Sequence, residues 1–487
     1  MRKKLIQIGL VLLYISIPIT IAMVLSDRDE VPDLPSSRQM IILTSEARDI
    51  VLYDFDYLVH VIMETAPTQN IFYRRFDISM EDFFAAWRQV IYDKTPMPSL
   101  TEAAIGRRWA NVPEDDLYLA ADYLFSVLMQ INAEIEDMGH MGPLGMMMAR
   151  FSYALTLYAM RYERYLDPAA IDLWTAEYDL TPEEVEFYLR VAESVVALGN
   201  RHYEIFHTPS ALWFYGPELT AFNSDISMDS IGFMNPNNVT TRIIEPGRIA
   251  YLRIASFMNN IELDSVVLFP FYEQVQNYEH LIIDLRGNSG GLPASFATNI
   301  VSMLIDESIS FMHPEFFIAS ELTFVNFENP MSHTAMKYNT WDAIVPITEF
   351  MQNQNMPYFN QDDLAFLDYV IVWYSEFSPA ENNIPFAGKI WILVDDRSAS
   401  ASELAAKISM GTGFATVVGE PTQKVTPTIA FTPVLPNTGI LFRVDLGYTV
   451  NPCGRSLEEY GVIPQIPNAL GMDALETVLS IINKTPE

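Results

Sequence analysis

Ile390-Trp-Ile-Leu-Val-Asp-Asp-Arg-Ser-Ala-Ser-Ala-Ser-Glu403 reads as a strand that turns directly into a helix. The apolar, β-favouring run Ile390–Val394 predicts a buried strand. Asp395-Asp396-Arg397 breaks it, and the Ser/Ala segment continues into Leu404-Ala-Ala-Lys-Ile-Ser409 with helix-forming character. Small residues at such a junction let backbone come close to whatever lies above it. The first N–H groups of the helix are unpaired there and carry the positive end of its dipole. A serine nucleophile and an oxyanion would suit that environment. Ser398, Ser400 and Ser402 also fit a plain N-cap cluster.

Working outward, Ile249–Ile254 predicts a strand, Asp264–Tyr278 a helix and Leu281–Leu285 a second strand. Arg286-Gly-Asn-Ser-Gly-Gly291 is a glycine-rich turn before a helix near Ala294–Leu304. Strands alternating with helices predict an α/β unit with a mostly parallel sheet and flanking helices. The glycine turn and the serine segment both follow strands, which puts them at the carboxyl ends of the sheet, where α/β sites lie. Beyond the serine segment, Phe414–Val418 predicts a strand, Ile429–Leu435 and Ile440–Val444 a hairpin, and Met472–Ile482 an amphipathic helix. Residues 307–385 read as an insertion of mixed character.

The N-terminal part is helical in pattern from about 46 to 207. Ser79-Met-Glu-Asp82 resembles a capping box, Asp115–Asp137 has helical apolar spacing, and Thr181-Pro-Glu-Glu184 caps a helix over Val185–Leu198. Ahead of it, Arg2-Lys3-Lys4 precedes an apolar run from Leu5 to Leu25. About 20 apolar residues can span a bilayer, and the basic flank predicts a cytoplasmic N-terminus with the remainder outside. Ala22-Met-Val-Leu-Ser26 is a poor cleavage match, so a single-pass anchor is expected over a removed signal that would leave the chain secreted. The expected plan is 1–25 anchor or signal, 26–45 linker, 46–242 helical domain and 243–485 catalytic domain.

With 62 acidic and 29 basic residues, the net charge of −33 repels phosphate backbones and argues against a nucleic-acid partner. The single cysteine, Cys453, excludes an internal disulfide and a multi-cysteine metal site. His202 and His207 lack acidic partners suited to a metal and read as structural. Met146-Met-Met148 reads as an apolar packing face, and Asn238-Val-Thr240 matches a glycosylation sequon.

Five segments together resemble the carboxyl-terminal-processing and tricorn-like serine peptidases, the tail-specific protease superfamily. They are Leu281-Ile-Ile-Asp-Leu-Arg-Gly-Asn-Ser-Gly-Gly291, Ser398-Ala-Ser-Ala-Ser-Glu403, Val418-Gly-Glu-Pro-Thr422, Leu435-Pro-Asn-Thr-Gly439 and Leu457-Glu-Glu-Tyr-Gly-Val-Ile-Pro464. The resemblance implies a ClpP/crotonase-like α/β fold, hydrolysis of protein or peptide substrates, and no metal or organic cofactor. It implies Ser400 as nucleophile and the N–H groups of Gly290 and Ala401 as the oxyanion hole.

For the base, the family offers two arrangements. The processing branch uses a lysine in "G-E-x-T-F-G-K-G", where this chain reads Gly419-Glu-Pro-Thr-Gln-Lys-Val425, with Lys424 one residue early and Thr428 where a glutamine is expected. The tricorn-like branch uses a histidine ahead of the sheet and a glutamate after it. Gly139-His140-Met141 and Leu457-Glu458 are similar to those segments and imply His140 as base and Glu458 as its orienting acid. Histidine suits the role because its ordinary pKa lies near neutrality. Met141 replaces a small polar residue, and Gln465 replaces the usual aspartate of "G-V-x-P-D"; with the altered lysine segment, these departures leave a catalytically inactive peptide-binding or scaffold protein on the same fold as the alternative to an active peptidase. Residues 141–247 lack a glycine-rich carboxylate loop, so a β-augmentation peptide module is expected to be absent.

Overall fold

The computed structural model describes residues 40–101, 115–135, 141–145, 203–220, 235–323, 344–428 and 430–484, with isolated positions between 139 and 189. The apolar run 5–25, the helix expected over 185–198 and the Met146–Met148 face lie wholly or largely outside them. Among the described residues, no helix is long and apolar enough to cross a membrane.

Helices open the described chain: α1 Ser45–Thr65, α2 Gln69–Phe76, α3 Met80–Tyr92 and α4 Asp116–Glu134. Their starts follow the expected chemistry. Ser79 Oγ accepts from Asp82 N at 3.0 Å and Asp115 Oδ1 from Leu117 N at 3.0 Å. A short strand, β1 Gly142–Pro143, follows α4. Asp54, fully buried on α1, accepts from the backbone N–H groups of Asn437 and Thr438 at 3.0 and 2.8 Å. One hydrophobic core therefore runs from α1–α4 into Leu435, Phe442 and Tyr448, across the expected boundary at 242.

The central sheet contains β2 Val239–Glu245, β3 Ile249–Ile254, β4 His280–Asp284, β8 Lys389–Val394, β9 Thr416–Gly419 and β13 Ile466–Pro467, in the order β13-β9-β8-β4-β3-β2. All neighbours are parallel except β2, antiparallel to β3. The inner strands are apolar on both faces because both faces are covered. Ile249, Tyr251, Ile282, Trp391, Leu393 and Val418 meet the C-terminal helix, Ala474–Lys484. Their alternates Leu252, Ile283 and Ile392 face the helix α5 Ile261–Val275 and the serine helix. That two-residue period is what a strand imposes.

The helix expected at 294–304 is composite: α6 Pro293–Phe296, a π turn over Ala297–Val301, and a last turn at Ser302–Leu304. The segment 307–385 carries much of a second sheet. In it β5 Ile309–Phe317 and β7 Tyr369–Phe377 pair antiparallel along their length, with β6 Val345–Pro346 and, from further along the chain, β12 Tyr448–Thr449 at the edges. The expected hairpin forms from β10 Ala430–Phe431 and β11 Phe442–Asp445, and β11 also pairs with β1. Asn238 is buried, with its amide donating to Ser256 O and Asp264 Oδ2, so the sequon is closed to glycosylation.

Candidate active site

At the end of β8 the chain turns sharply into α7 Ala401–Thr412. The turn is held from below. Ser398 Oγ lies 2.9 Å from Leu285 O, and Asp395 Oδ1 accepts from Gly287 N at 2.8 Å, which ties the two crossover loops together. Ser398 is thus a structural residue of the turn. Ser400 sits at φ 52° and ψ −117°, a backbone region that non-glycine residues rarely occupy. Such strain is characteristic of a side chain pushed up at a strand-to-helix elbow. The Ser400 Oγ is buried and has no hydrogen-bond partner among the described residues. A buried hydroxyl is normally satisfied; Ser402 Oγ is unpartnered as well, and it is the positive φ that sets Ser400 apart from it.

Gly290 lies directly against this turn. A Cβ built on it would stand 2.7 Å from Ser400 Cβ and 2.8 Å from Ala401 N, and its φ is 98°. Only glycine fits there. As the first residue of α7, Ala401 has an N–H with no intrahelical acceptor. The Gly290 N–H, however, donates to Asn288 Oδ1 at 2.9 Å. The expected pair of oxyanion donors is therefore half engaged, and Gly290 would have to share or leave that bond.

Glu403, on the first turn of α7, is fully buried. Its Oε1 accepts from Thr422 Oγ1 at 2.5 Å and Lys424 N at 2.7 Å, and its Oε2 from Thr426 Oγ1 at 3.1 Å. This pins the 422–426 loop, whose Val425 O accepts the Ser400 N–H at 2.9 Å. Thr422 Oγ1 also accepts from Val462 N at 2.8 Å, just past α8 Leu457–Tyr460. Gly461 is packed so closely that a Cβ would stand 2.5 Å from Thr422 O.

Glu458, on α8, is buried and accepts from Thr449 N at 2.9 Å, Thr449 Oγ1 at 2.6 Å and Ser456 Oγ at 3.0 Å. Burial outweighs these bonds and pushes its pKa up to about 7; Glu403 is raised to about 7 for the same reason. Arg74 of α2 braces the turn, binding Glu459 and Asp363 at 2.7 and 2.8 Å. Lys407 of α7 is buried too, and desolvation lowers its pKa to about 8 against the pull of Glu458, Glu315 and Glu403.

The structure thus links the Ser400 turn, the glycine turn and the Glu458 turn by short contacts. His140 lies outside the described residues. Beside it, Gly139 is so close to Asp445 that a Cβ would stand 2.8 Å from Asp445 Oδ2, and Met141 is buried. Lys424 adopts φ 72°, and its backbone N–H serves Glu403. Thr428, at the position where the processing branch has a glutamine, bonds Glu315, and Gln465 Oε1 accepts from Val417 N at 2.9 Å within the sheet. His207 stacks on Tyr203, in keeping with a structural role. Among the described residues no cluster could hold a metal ion. Sequence reasoning missed Glu403, Lys407, Glu315 and Thr422. The i,i+4 spacing of Glu403 and Lys407 on one face of α7 was a signal for that pair alone; nothing local pointed to Glu315 or Thr422.

Residues 248–468 match Peptidase family S41. Among solved structures, the photosystem II D1 C-terminal processing protease is similar over 51% of this chain and 53% of its own, at 19% identity and a TM-score of 0.30. The chain therefore spans about half the length of that relative. Mature CPAF complexed with lactacystin aligns over 90% of this chain and 98% of its own, at 13% identity and a TM-score of 0.46. A putative peptidase from Parabacteroides merdae aligns over 67% and 94%, at 13% identity and a TM-score of 0.34.

Proposed function

We propose, from the match of residues 248–468 to Peptidase family S41, that this chain is a serine peptidase of that family and an endopeptidase acting through Ser400, His140 and Glu458. Ser400 Oγ attacks a peptide carbonyl as His140 takes its proton. The Ala401 N–H, joined by Gly290 once it is released from Asn288, stabilises the oxyanion. His140 then delivers the proton to the leaving amine, and water repeats the sequence to free the acyl group. Glu458 orients the imidazole and balances its charge. The observation that carries this reading is the buried, unpartnered Oγ of Ser400 at a positive φ, pressed against Gly290.

The basic residues ahead of the 5–25 run support an anchored chain with its catalytic part outside the cytoplasm. A second reading, a Ser400–Lys424 dyad, is favoured by one observation: Lys424 adjoins Val425, whose carbonyl holds the Ser400 N–H.

Purified protein with an unstructured peptide tests both readings. Ser400→Ala should abolish cleavage, and unchanged cleavage would remove Ser400 from the mechanism. Loss of activity in His140→Ala with retention in Lys424→Ala supports the triad; the reverse pattern supports the dyad.

A further inference from the structure

We infer that Lys407 is a positioning residue for catalysis, a buried ammonium on the nucleophile's own helix that keeps the Glu458 carboxylate ionised. The inference rests on the reading of Glu458 as the triad acid. Glu403 and Lys407, one turn apart, share one face of α7, the helix that Ser400 caps. Lys407 is only 5% exposed, and its Nζ lies 6.0 Å from the centre of the Phe311 ring.

Four titratable groups face that ammonium. Glu403 is one turn away on its own helix; β5, which carries Phe311 beneath the ammonium, also carries His313 and Glu315, and Glu315 pairs across the sheet with Thr449, the residue that binds Glu458. Glu458, Glu315 and Glu403 all favour its charged form. Lys407 makes no hydrogen bond or ion-pair contact among the described residues and acts on them through space.

Three carboxylates in a dry interior cannot all be ionised without a compensating charge, since desolvating each ion costs several kcal/mol. Thr449 and Ser456 satisfy lone pairs of Glu458 but bring no net charge. His313 does not supply it either: burial and the charge of Lys407 hold its pKa well below the usual histidine value. Arg74 is engaged by Asp363 and Glu459, and Lys407 is the buried ammonium among the described residues that can do so. A neutral residue there would let Glu458 take up a proton more readily, and a protonated Glu458 cannot balance an imidazolium.

The test measures the rate at which a fluorophosphonate labels Ser400, from pH 5 to pH 9, in the full chain. Labelling forms an Oγ–P bond, expels fluoride and sends the hydroxyl proton to the base. Wild type should show an acidic limb near neutrality. Lys407→Met should move that limb up by about one pH unit, slowing labelling about tenfold at pH 7, with the rates converging at pH 9. Lys407→Arg keeps the charge and should keep the limb in place.

A folded Met variant with an unmoved limb, or one slowed equally at every pH, overturns the inference, because a purely structural residue would behave in that way. If the Met variant does not fold, Lys407→Gln is read against the same criteria, and a displaced limb in the Arg variant counts against the inference. Wild type that fails to label, or that labels equally in Ser400→Ala, defeats the Ser400 reading itself and is recognisable as such.

Discussion

Thr422 Oγ1 donates to Glu403 Oε1 at 2.5 Å and accepts from Val462 N at 2.8 Å. One hydroxyl thereby joins the helix headed by Ser400 to the turn that carries Glu458. Replacing it by valine keeps the shape and removes both bonds. Leaving a buried carboxylate and a buried N–H short of partners costs about 1–3 kcal/mol each. Thr422→Val should therefore lower the urea midpoint, and at temperatures where the variant stays folded Ser400 labelling should slow as well. Labelling at the wild-type rate would show that the two turns hold their positions without this link.

Gly290→Ala tests the contact between the two crossover loops. The added methyl would stand 2.7 Å from Ala399 O and from Ser400 Cβ, on a backbone at φ 98°. Overpacking costs roughly 1–3 kcal/mol, and the positive φ adds to it. The expected outcome is loss of labelling at Ser400 together with a lower melting temperature. Near wild-type labelling would mean that the glycine turn does not press on Ser400.

Asp54→Ala should report on the docking of the N-terminal helices. It removes the acceptor of the Asn437 and Thr438 N–H groups, of the Asn437 side-chain amide and of the Thr438 hydroxyl, all at 2.7–3.0 Å. Bonds to a buried charge are worth about 1.5–3 kcal/mol each and are not additive. A loss of at least about 2 kcal/mol in chemical denaturation is expected. An unchanged midpoint would show that α1 is held to the hairpin by apolar packing alone.

Much of the central sheet is legible in the sequence because its inner strands are continuous apolar runs. Ile249–Ile254, Leu281–Leu285 and Ile390–Val394 fall within a residue or two of the strands that form. Strand β2 is not legible in this way, since Thr240, Thr241 and Arg242 on a half-covered edge strand break the apolar pattern. Strand β5 is obscured by Pro314 and by buried His313 and Glu315, residues that normally argue against an inner strand. The same two side chains explain what sequence reasoning misses at the site. Their partners Lys407 and Thr428 lie about a hundred residues away, and no local spacing reveals a charge cluster assembled by β5, α7 and α8. Ser400 and Glu458 stand out because each sits in a short motif.

Stability and activity should respond to pH in opposite senses. Glu458 and Glu403 are both raised by burial to about 7, from an ordinary value of 4.5. Between those two values the folded chain holds protons that the unfolded chain has lost. Stability therefore falls as pH rises through that window, and levels off once the folded carboxyls have ionised. The proposed triad needs Glu458 ionised, so labelling of Ser400 should rise over the upper part of the same window. Glu458→Gln removes one titrating group and should flatten the loss of stability between pH 5 and pH 8. It should also slow labelling at the alkaline end, where the wild-type carboxylate is charged. Denaturation midpoints and labelling rates measured on the same samples check both halves. A Gln variant with the wild-type stability slope would mean that Glu458 is already ionised at pH 5.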